Sequence, residues 1–279
     1  MIGGMEARAT QHRVPRTPRL RLGLLALSQV AAVALWWWLG WQAGLALLLL
    51  SHAAVLWSTF HPRSQLFCPA LVRLPGDQPR VWLTIDDGPS EDTLPILDLL
   101  DAHDAKATFF VVGARARARP DLVREIVRRG HGLGNHSDSH PQAAFWRLGP
   151  GRLEAEIAAN QRSLAEIAGS APRWFRSVVG HTNPFIGPVL ARHGLTRVAW
   201  SARGFDGVRC TPDQVLARIA PDLEPGAVVL LHEGAAHGHN VEILQRVLAA
   251  LKARGLHAVL PECGGLVCRT ELAQLGHGR

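Results

Sequence analysis

Cysteine is scarce in this 279-residue chain: Cys68, Cys210, Cys263 and Cys268, with no paired CxxC spacing. That excludes a disulfide-framework scaffold, and four reduced thiols favour a reducing compartment. Charged residues are only 19% of the chain against 47% hydrophobic, which excludes a disordered polymer and allows a sizeable core. The formal charge of +7 is thinner than it looks, because residues 1–21 hold +4 of it: Arg8, Arg13, Arg16, Arg19 and Arg21 against Glu6 alone. The other 258 residues share +3, too little for an electrostatic footprint, so no nucleic-acid partner is expected. Internal repeats and low-complexity tracts are also absent.

Charge is missing altogether from Leu22 to Phe60. At 1.5 Å per residue, one helix of that length would reach about 58 Å, roughly twice a hydrocarbon core. Two spans, about 22–39 and 43–60, joined by a tight turn at Gly40-Trp41-Gln42, fit better. Trp36, Trp37, Trp38 and Trp41 gather at the turn and Trp57 lies near the other end, where indole rings find the membrane interface. A signal peptide has a shorter apolar core with a small-residue cleavage site soon after. The expectation is therefore a retained two-span anchor in the inner (cytoplasmic) membrane. Arginines flank both outer ends (residues 8–21, then Arg63, Arg73 and Arg80) and none sits at the turn, which places the soluble part in the cytoplasm. A periplasmic domain is the alternative, if one apolar half lies in the interface.

Proline-rich residues 61–79 lack periodicity and read as a linker. From Arg80 onward, apolar runs at 81–85, 108–112, 132–135, 174–176, 196–200, 228–232 and 257–260 alternate with helical patterns near 93–103, 119–129, 151–168, 184–193, 212–220 and 241–254. Alternation of this kind is the mark of a parallel α/β architecture, and about seven strands in one unit favour a barrel-like closure. The organisation is then a basic tail (1–21), a transmembrane hairpin (22–60), a linker (61–79), a catalytic domain (80–262) and a C-terminal tail (263–279).

Catalytic groups of such folds gather at the C-terminal ends of strands, and three clusters fall there. The first strand runs into Thr84-Ile85-Asp86-Asp87-Gly88-Pro89. The third precedes His136-Ser137-Asp138-Ser139-His140, whose two imidazoles at i and i+4 share one face of a helical turn. The sixth ends in Leu231-His232. Each is weak alone: Asp-Gly-Pro is a turn signal, and solvated His pairs are ordinary in a chain with 14 histidines. Together they assemble two histidines and a carboxylate around open positions for water, a hydrolytic metal site. A spare aspartate can serve as base and a separate histidine can protonate a leaving amine. His131, His181, His193, His237 and His239 read as structural, Asp138 as solvated or capping, and Glu233 as a rim residue.

In order and spacing these motifs resemble those of the polysaccharide deacetylases with a NodB-homology domain (carbohydrate esterase family 4-like), over about residues 80–260. The resemblance implies a distorted (β/α) barrel of about seven strands. It implies Asp86 as catalytic base, and Asp87, His136 and His140 as ligands of one divalent metal. That ion is most often zinc, with cobalt, manganese or nickel as alternatives. His232 would be the general acid. Two motifs depart from the family pattern. Arg176-Ser177-Val178-Val179-Gly180 lacks the prolines and aromatic residue that usually follow its arginine, although Arg176 can still orient Asp86 and the Val179 N–H can still face an oxyanion. In Trp200–Gly207, Asp206 matches the residue that tunes His232, whereas Arg203 and Gly207 replace an aspartate and a tryptophan. The implied activity is removal of an N-acyl group from an amino sugar; the membrane hairpin and cytoplasm-facing site, not the resemblance, point to an N-acetyl or N-formyl sugar on a membrane-associated or lipid-linked glycan. The alternatives are a periplasmic peptidoglycan or chitooligosaccharide deacetylase, and a non-catalytic membrane-tethered binding module of the same fold.

Overall fold

The computed structural model describes residues 19–261. Most of the basic tail, the C-terminal tail, and with it Cys263 and Cys268, lie outside the described residues. Two helices open the chain, α1 (Leu20–Leu39) and α2 (Trp41–Phe60), each long and apolar enough to cross a membrane. They meet at Gly40, whose φ of 97° reverses the chain in one residue, a conformation that favours glycine. The pair is close-packed at Gly44, where a Cβ would lie 2.6 Å from that of Trp36, and Gln29 reaches across to Ser51 at 3.1 Å. Small residues and one polar cross-link are how apolar helices associate in lipid. Arg21 donates to the Leu66 carbonyl at 2.8 Å, so both outer ends of the hairpin lie beside the α/β domain.

That domain is a parallel sheet with the order β1 (Ala70–Leu71), β6 (Thr196–Val198), β5 (Trp174–Phe175), β4 (Gly132–Asn135), β3 (Ala107–Val111), β2 (Arg80–Gly88), β8 (Val228–His232), β7 (Ala202–Arg203). A short β9 (His257–Ala258) pairs with the start of β2. In β2 every side chain from Val81 to Asp86 is buried, as a central strand covered on both faces must be. Helices α3 (Thr93–Ala102), α4 (Gly113–Ala118), α5 (Pro120–Arg128), α6 (Pro150–Ala168), α7 (Ile186–Arg192), α8 (Pro212–Ile219) and α9 (Asn240–Ala253) lie between the strands in sequence. Their boundaries are chemical: proline opens α5, α6 and α8, Thr211 and Gln214 form a capping box on α8, and Gly169 closes α6 in the left-handed conformation.

The sheet curls into a half-barrel. β6 and β7 sit near opposite ends of the strand order, yet only Ala199–Ser201 separate them. The Ala199 N–H donates to Leu71 and the Ser201 N–H to Val228, so this one segment draws the two edges together. Two expectations shift here. The linker region contributes β1, with Phe67, Cys68, Ala70 and Leu71 buried and Arg197 bonded to the carbonyls of Pro62 and Cys68. The run at 196–200 is strand only over Thr196–Val198; after Ala199–Ser201 the chain starts β7 at Ala202, because it leaves one side of the sheet for the other.

β4 carries glycine for want of room. A Cβ on Gly134 would lie 2.4 Å from the Phe110 ring, and that ring stacks on the Arg176 guanidinium 4.2 Å away. Gly134→Ala is expected to cost roughly 1–3 kcal/mol by overpacking and to lower the thermal midpoint of the detergent-solubilised protein by several degrees. An unchanged midpoint would show that Phe110 yields freely.

Candidate active site

Strand register sets the site. Asp86 on β2 lies opposite His232 on β8 and Phe110 on β3, while Val111 lies opposite Asn135, the last residue of β4. The C-terminal ends of β2, β4, β5 and β8 therefore open into one cleft, whose lining includes Asp86, Asp87, His136, His140, Val179 and His232. The backbone is strained where these residues enter. Asp87, Ser137, His140, Val179 and Phe205 all take positive φ, between 53° and 73°. For the β-branched Val179 this is a conformation kept only under compulsion from its surroundings.

Asp86 is buried and accepts from Arg176 Nη1 at 2.8 Å. Arg176 is wholly buried and fully occupied, donating also to Thr84 Oγ1 at 2.7 Å and to the Ala199 carbonyl at 3.1 Å. Burial pushes the guanidinium below its ordinary value and Asp86 opposes that shift. Such a pair fixes the orientation of one carboxylate oxygen and leaves the other facing the cleft, 3.8 Å from His136 Nε2.

Asp87 Oδ1 stands 3.0 Å from His140 Nε2 and 3.5 Å from His136 Nε2. It is buried, yet accepts no hydrogen bond. The His136 ring is held from behind, its Nδ1 2.9 Å from the Arg176 carbonyl. Because a carbonyl only accepts, Nδ1 bears a proton, and in the neutral ring, the form that binds a metal, Nε2 turns a lone pair toward Asp87. A lone pair facing a carboxylate oxygen is repulsive unless something positive lies between them. Donor atoms about 2 Å from one tetrahedral ion lie roughly 3.4 Å apart, and the three ligand atoms here fall within 4.8 Å of one another. The residues fit a divalent cation.

The two histidines do not share a helical turn. Residues 136–140 form an irregular loop, and its hydrogen-bond partners were not visible as site residues in the sequence. Asn135 Oδ1 accepts from the Ser137 N–H, and Asn160 on α6 donates to the carbonyls of Val111 and Ser137. Glu156 accepts from the N–H groups of Asp138 and Ser139. The i, i+4 spacing brings the imidazoles together, but through a loop pinned by α6.

His232 closes the opposite wall. Asp206, buried, accepts from His232 Nδ1 at 2.9 Å and from the His232 backbone N–H at 2.7 Å. Burial alone would lower the imidazole pKa; the charge and hydrogen bond of Asp206, with the charges of Asp86 and Asp87, outweigh it and push the value up to about 9. Gly207 lies against the same ring, where a Cβ would stand 3.4 Å from it, so this residue lays no side chain on His232.

Glu233 is no rim residue. It is 1% exposed, and its Oε2 accepts from the Ser90 N–H, the Ser90 hydroxyl and the Thr93 hydroxyl. It clamps the turn after β2, and burial raises its pKa. Asp138 pairs with Arg117 at 2.5 Å. His181 turns away from the cleft to meet Phe60 of α2 edge-on, 5.1 Å between centroids. His131 is buried against Phe109 and His193 pairs with Glu154.

Residues 73–198 match the family model described as polysaccharide deacetylase. The chitooligosaccharide deacetylase of Bradyrhizobium sp. (strain ANU 289) is 32% identical over 189 residues, covering 63% of this chain and 85% of that protein. The peptidoglycan-N-acetylglucosamine deacetylase of Bacillus cereus is 31% identical, covering 66% and 68% respectively. The solved family 4 carbohydrate esterase from Streptomyces lividans superposes with a TM-score of 0.61 at 32% identity, over 67% of this chain and 95% of that one.

Proposed function

The chain belongs to the polysaccharide deacetylase family, the NodB-homology or carbohydrate esterase family 4 group, and on that footing we propose that it is a metal-dependent hydrolase releasing an N-acetyl or N-formyl group from an amino sugar on a membrane-associated or lipid-linked glycan. The observation that carries the chemistry is the buried, unbonded Asp87 Oδ1 between two imidazole nitrogens. Asp87, His136 and His140 would hold the ion, zinc by donor set. When bound, such an ion polarises an acyl carbonyl and acidifies water.

The protein's own groups do the rest. Asp86, oriented by Arg176, accepts the proton of the attacking water through its free oxygen. The Val179 N–H donates to the carbonyl oxygen as negative charge builds there, a role that needs a backbone group and no particular side chain. His232, kept protonated by Asp206, gives its proton to the departing sugar amine. The amide C–N bond breaks as the water oxygen bonds to the acyl carbon, leaving a free amine and a carboxylic acid.

The membrane reading rests on the two apolar helices and on where they end. Thr182, just beyond the strained Val179 turn, donates its N–H to the Thr59 carbonyl and its hydroxyl to that of Ser58. Pro62 lies against Gly180, 2.7 Å from where its Cβ would be. The last turn of α2 thus continues directly into the wall of the cleft, and Phe205 and Val208 on the rim are exposed. A cleft built onto the end of a membrane helix favours a substrate held at the bilayer surface, and the arginine flanks favour the cytoplasmic side. The names of the relatives favour the alternative, a periplasmic enzyme on peptidoglycan or chitooligosaccharides.

Assays of amine release from N-acetylated and N-formylated lipid-linked sugars, chitooligosaccharides and peptidoglycan fragments test the function. The expected result is release that is lost on chelation, with lipid-linked sugars preferred. No release from any of them favours a non-catalytic binding module. An alkaline-phosphatase fusion at Arg80 tests sidedness, and an active fusion would remove the cytoplasmic reading.

A further inference from the structure

Arg203 is the arginine lining the cleft, and among the described residues its guanidinium has no hydrogen-bond or ion-pair partner. It ends β7, in register with Leu230 of β8, so its backbone is held by the sheet. Its guanidinium carbon packs 4.9 Å from the Trp200 ring centroid and 4.5 Å from that of Phe205. Aromatic rings engage the plane of a guanidinium and leave its N–H edge to find acceptors. Among the described residues there are none: Arg203 makes no hydrogen bond and no ion pair, and its Nε is buried without a partner. The nearby carboxylates are committed, Asp206 to His232 and Asp86 to Arg176. Burial pushes the guanidinium below its ordinary value, and the charges of Asp206 and Asp86 oppose that shift only from a distance, without a hydrogen bond or ion pair to Arg203. Arg203 is half-buried, and a guanidinium taken partly out of water without an acceptor is costly.

Charge balance points the same way. Asp86, Asp87 and Asp206 face Arg176, Arg203 and protonated His232, so these groups cancel, and a divalent ion held by Asp87, His136 and His140 would leave the cleft positive. A neutral sugar does nothing to offset that excess.

We propose that Arg203 is a specificity residue that binds an oxyanion, phosphate or carboxylate, carried by the acylated sugar beside the scissile amide. The inference deepens the deacetylase reading and rests on it for the substrate's place in the cleft. It also accounts for Phe205, whose φ of 60° holds an aromatic ring against the guanidinium at the exposed rim. A π-held guanidinium with its edge free is preorganised for two parallel bonds to an oxyanion.

Direct binding tests it, on full-length protein in detergent, metal-free and zinc-loaded. The probes are N-acetylglucosamine 1-phosphate, N-acetylmuramic acid and neutral di-N-acetylchitobiose. An anionic probe is expected to bind at least about tenfold more tightly than the neutral one, as a charge-assisted hydrogen bond would give, with the advantage shrinking at high salt. Whichever anionic probe leads identifies phosphate or carboxylate as the source. Arg203→Met keeps the apolar stem and should erase the preference while leaving neutral binding unchanged. Arg203→Lys keeps the charge without the fork and should restore part of it; where the methionine variant does not fold, loss of anionic affinity alone in the lysine variant decides. Equal weakening of all three probes, or no preference in the wild type, overturns the proposal and leaves Arg203 a prop for Trp200 and Phe205. Amine release is scored separately. Release without charge preference sinks the Arg203 assignment alone, whereas charge-selective binding without release sinks the deacetylase reading and keeps Arg203 as an anion site.

Discussion

Purified in detergent without chelator, the wild-type protein is expected to hold about one equivalent of divalent metal, and Asp87→Ala and His136→Ala to hold almost none. His136 is the sharper test. Its Nδ1 is committed to the Arg176 carbonyl, so only Nε2 can bind an ion, and alanine removes that atom. Asp86→Asn should behave differently: metal content stays near one equivalent while turnover falls by about 10²–10⁴, the range of a lost general base. The asparagine can still accept from Arg176, so the fold persists, but a fully buried guanidinium then lacks its counter-charge, a state that costs several kcal/mol. A lower thermal midpoint should therefore accompany the loss of turnover. Stoichiometric metal in purified His136→Ala protein would refute the ligand assignment.

The sequence shows the framework of this site more clearly than its supports. Asp86, Asp87 and His232 are legible because apolar runs end on them, and strand ends are where a parallel sheet exposes polar groups. His136 and His140 are legible from spacing, but for the wrong geometric reason. The loop that joins them takes left-handed backbone at Ser137 and His140, and its restraints come from Asn160 and Glu156 on a helix some 20 residues later. No local pattern announces such a partner. β1 is hidden by its length of two residues among prolines, and it forms because β6 offers a free edge. α4, Gly-Ala-Arg-Ala-Arg-Ala, has no apolar stripe to betray it. Glu233 reads as a rim residue because it follows a strand end; that Ser90 and Thr93 close over it is settled by the turn after β2, 140 or more residues away in sequence. Arg203 shows in the sequence only as a departure from a family motif. Its lack of an acceptor is a fact about three dimensions.

The second large effect concerns the proton that leaves with the amine. His232 is pushed up to about 9 chiefly by Asp206 against the opposing effect of burial, so the imidazole stays protonated at neutral pH and can act as an acid. The rate should then fall as pH rises through about 9. In Asp206→Asn the largest charge that holds the proton is gone and only the smaller effects of Asp86 and Asp87 are left, while burial, which disfavours the imidazolium and is the largest effect of all, remains. The value should drop to the ordinary 6.5 or below, moving the alkaline limb down by more than two units. At pH 8 the protonated fraction would fall from about 0.9 to about 0.03, roughly a 30-fold loss of rate, recovered in part by assaying at pH 6. Stability should follow the same sign. A histidine whose folded value is raised stabilises the protein fully below its unfolded pKa, and that contribution disappears as pH rises through the folded value. Asp206→Asn should accordingly lower the thermal midpoint more at pH 6 than at pH 10. If the alkaline limb of the variant stays near 9, another group sets it and His232 is not the acid. If the limb moves but stability changes equally at both pH values, Asp206 acts by holding the His232 backbone N–H and its charge contributes little to the fold.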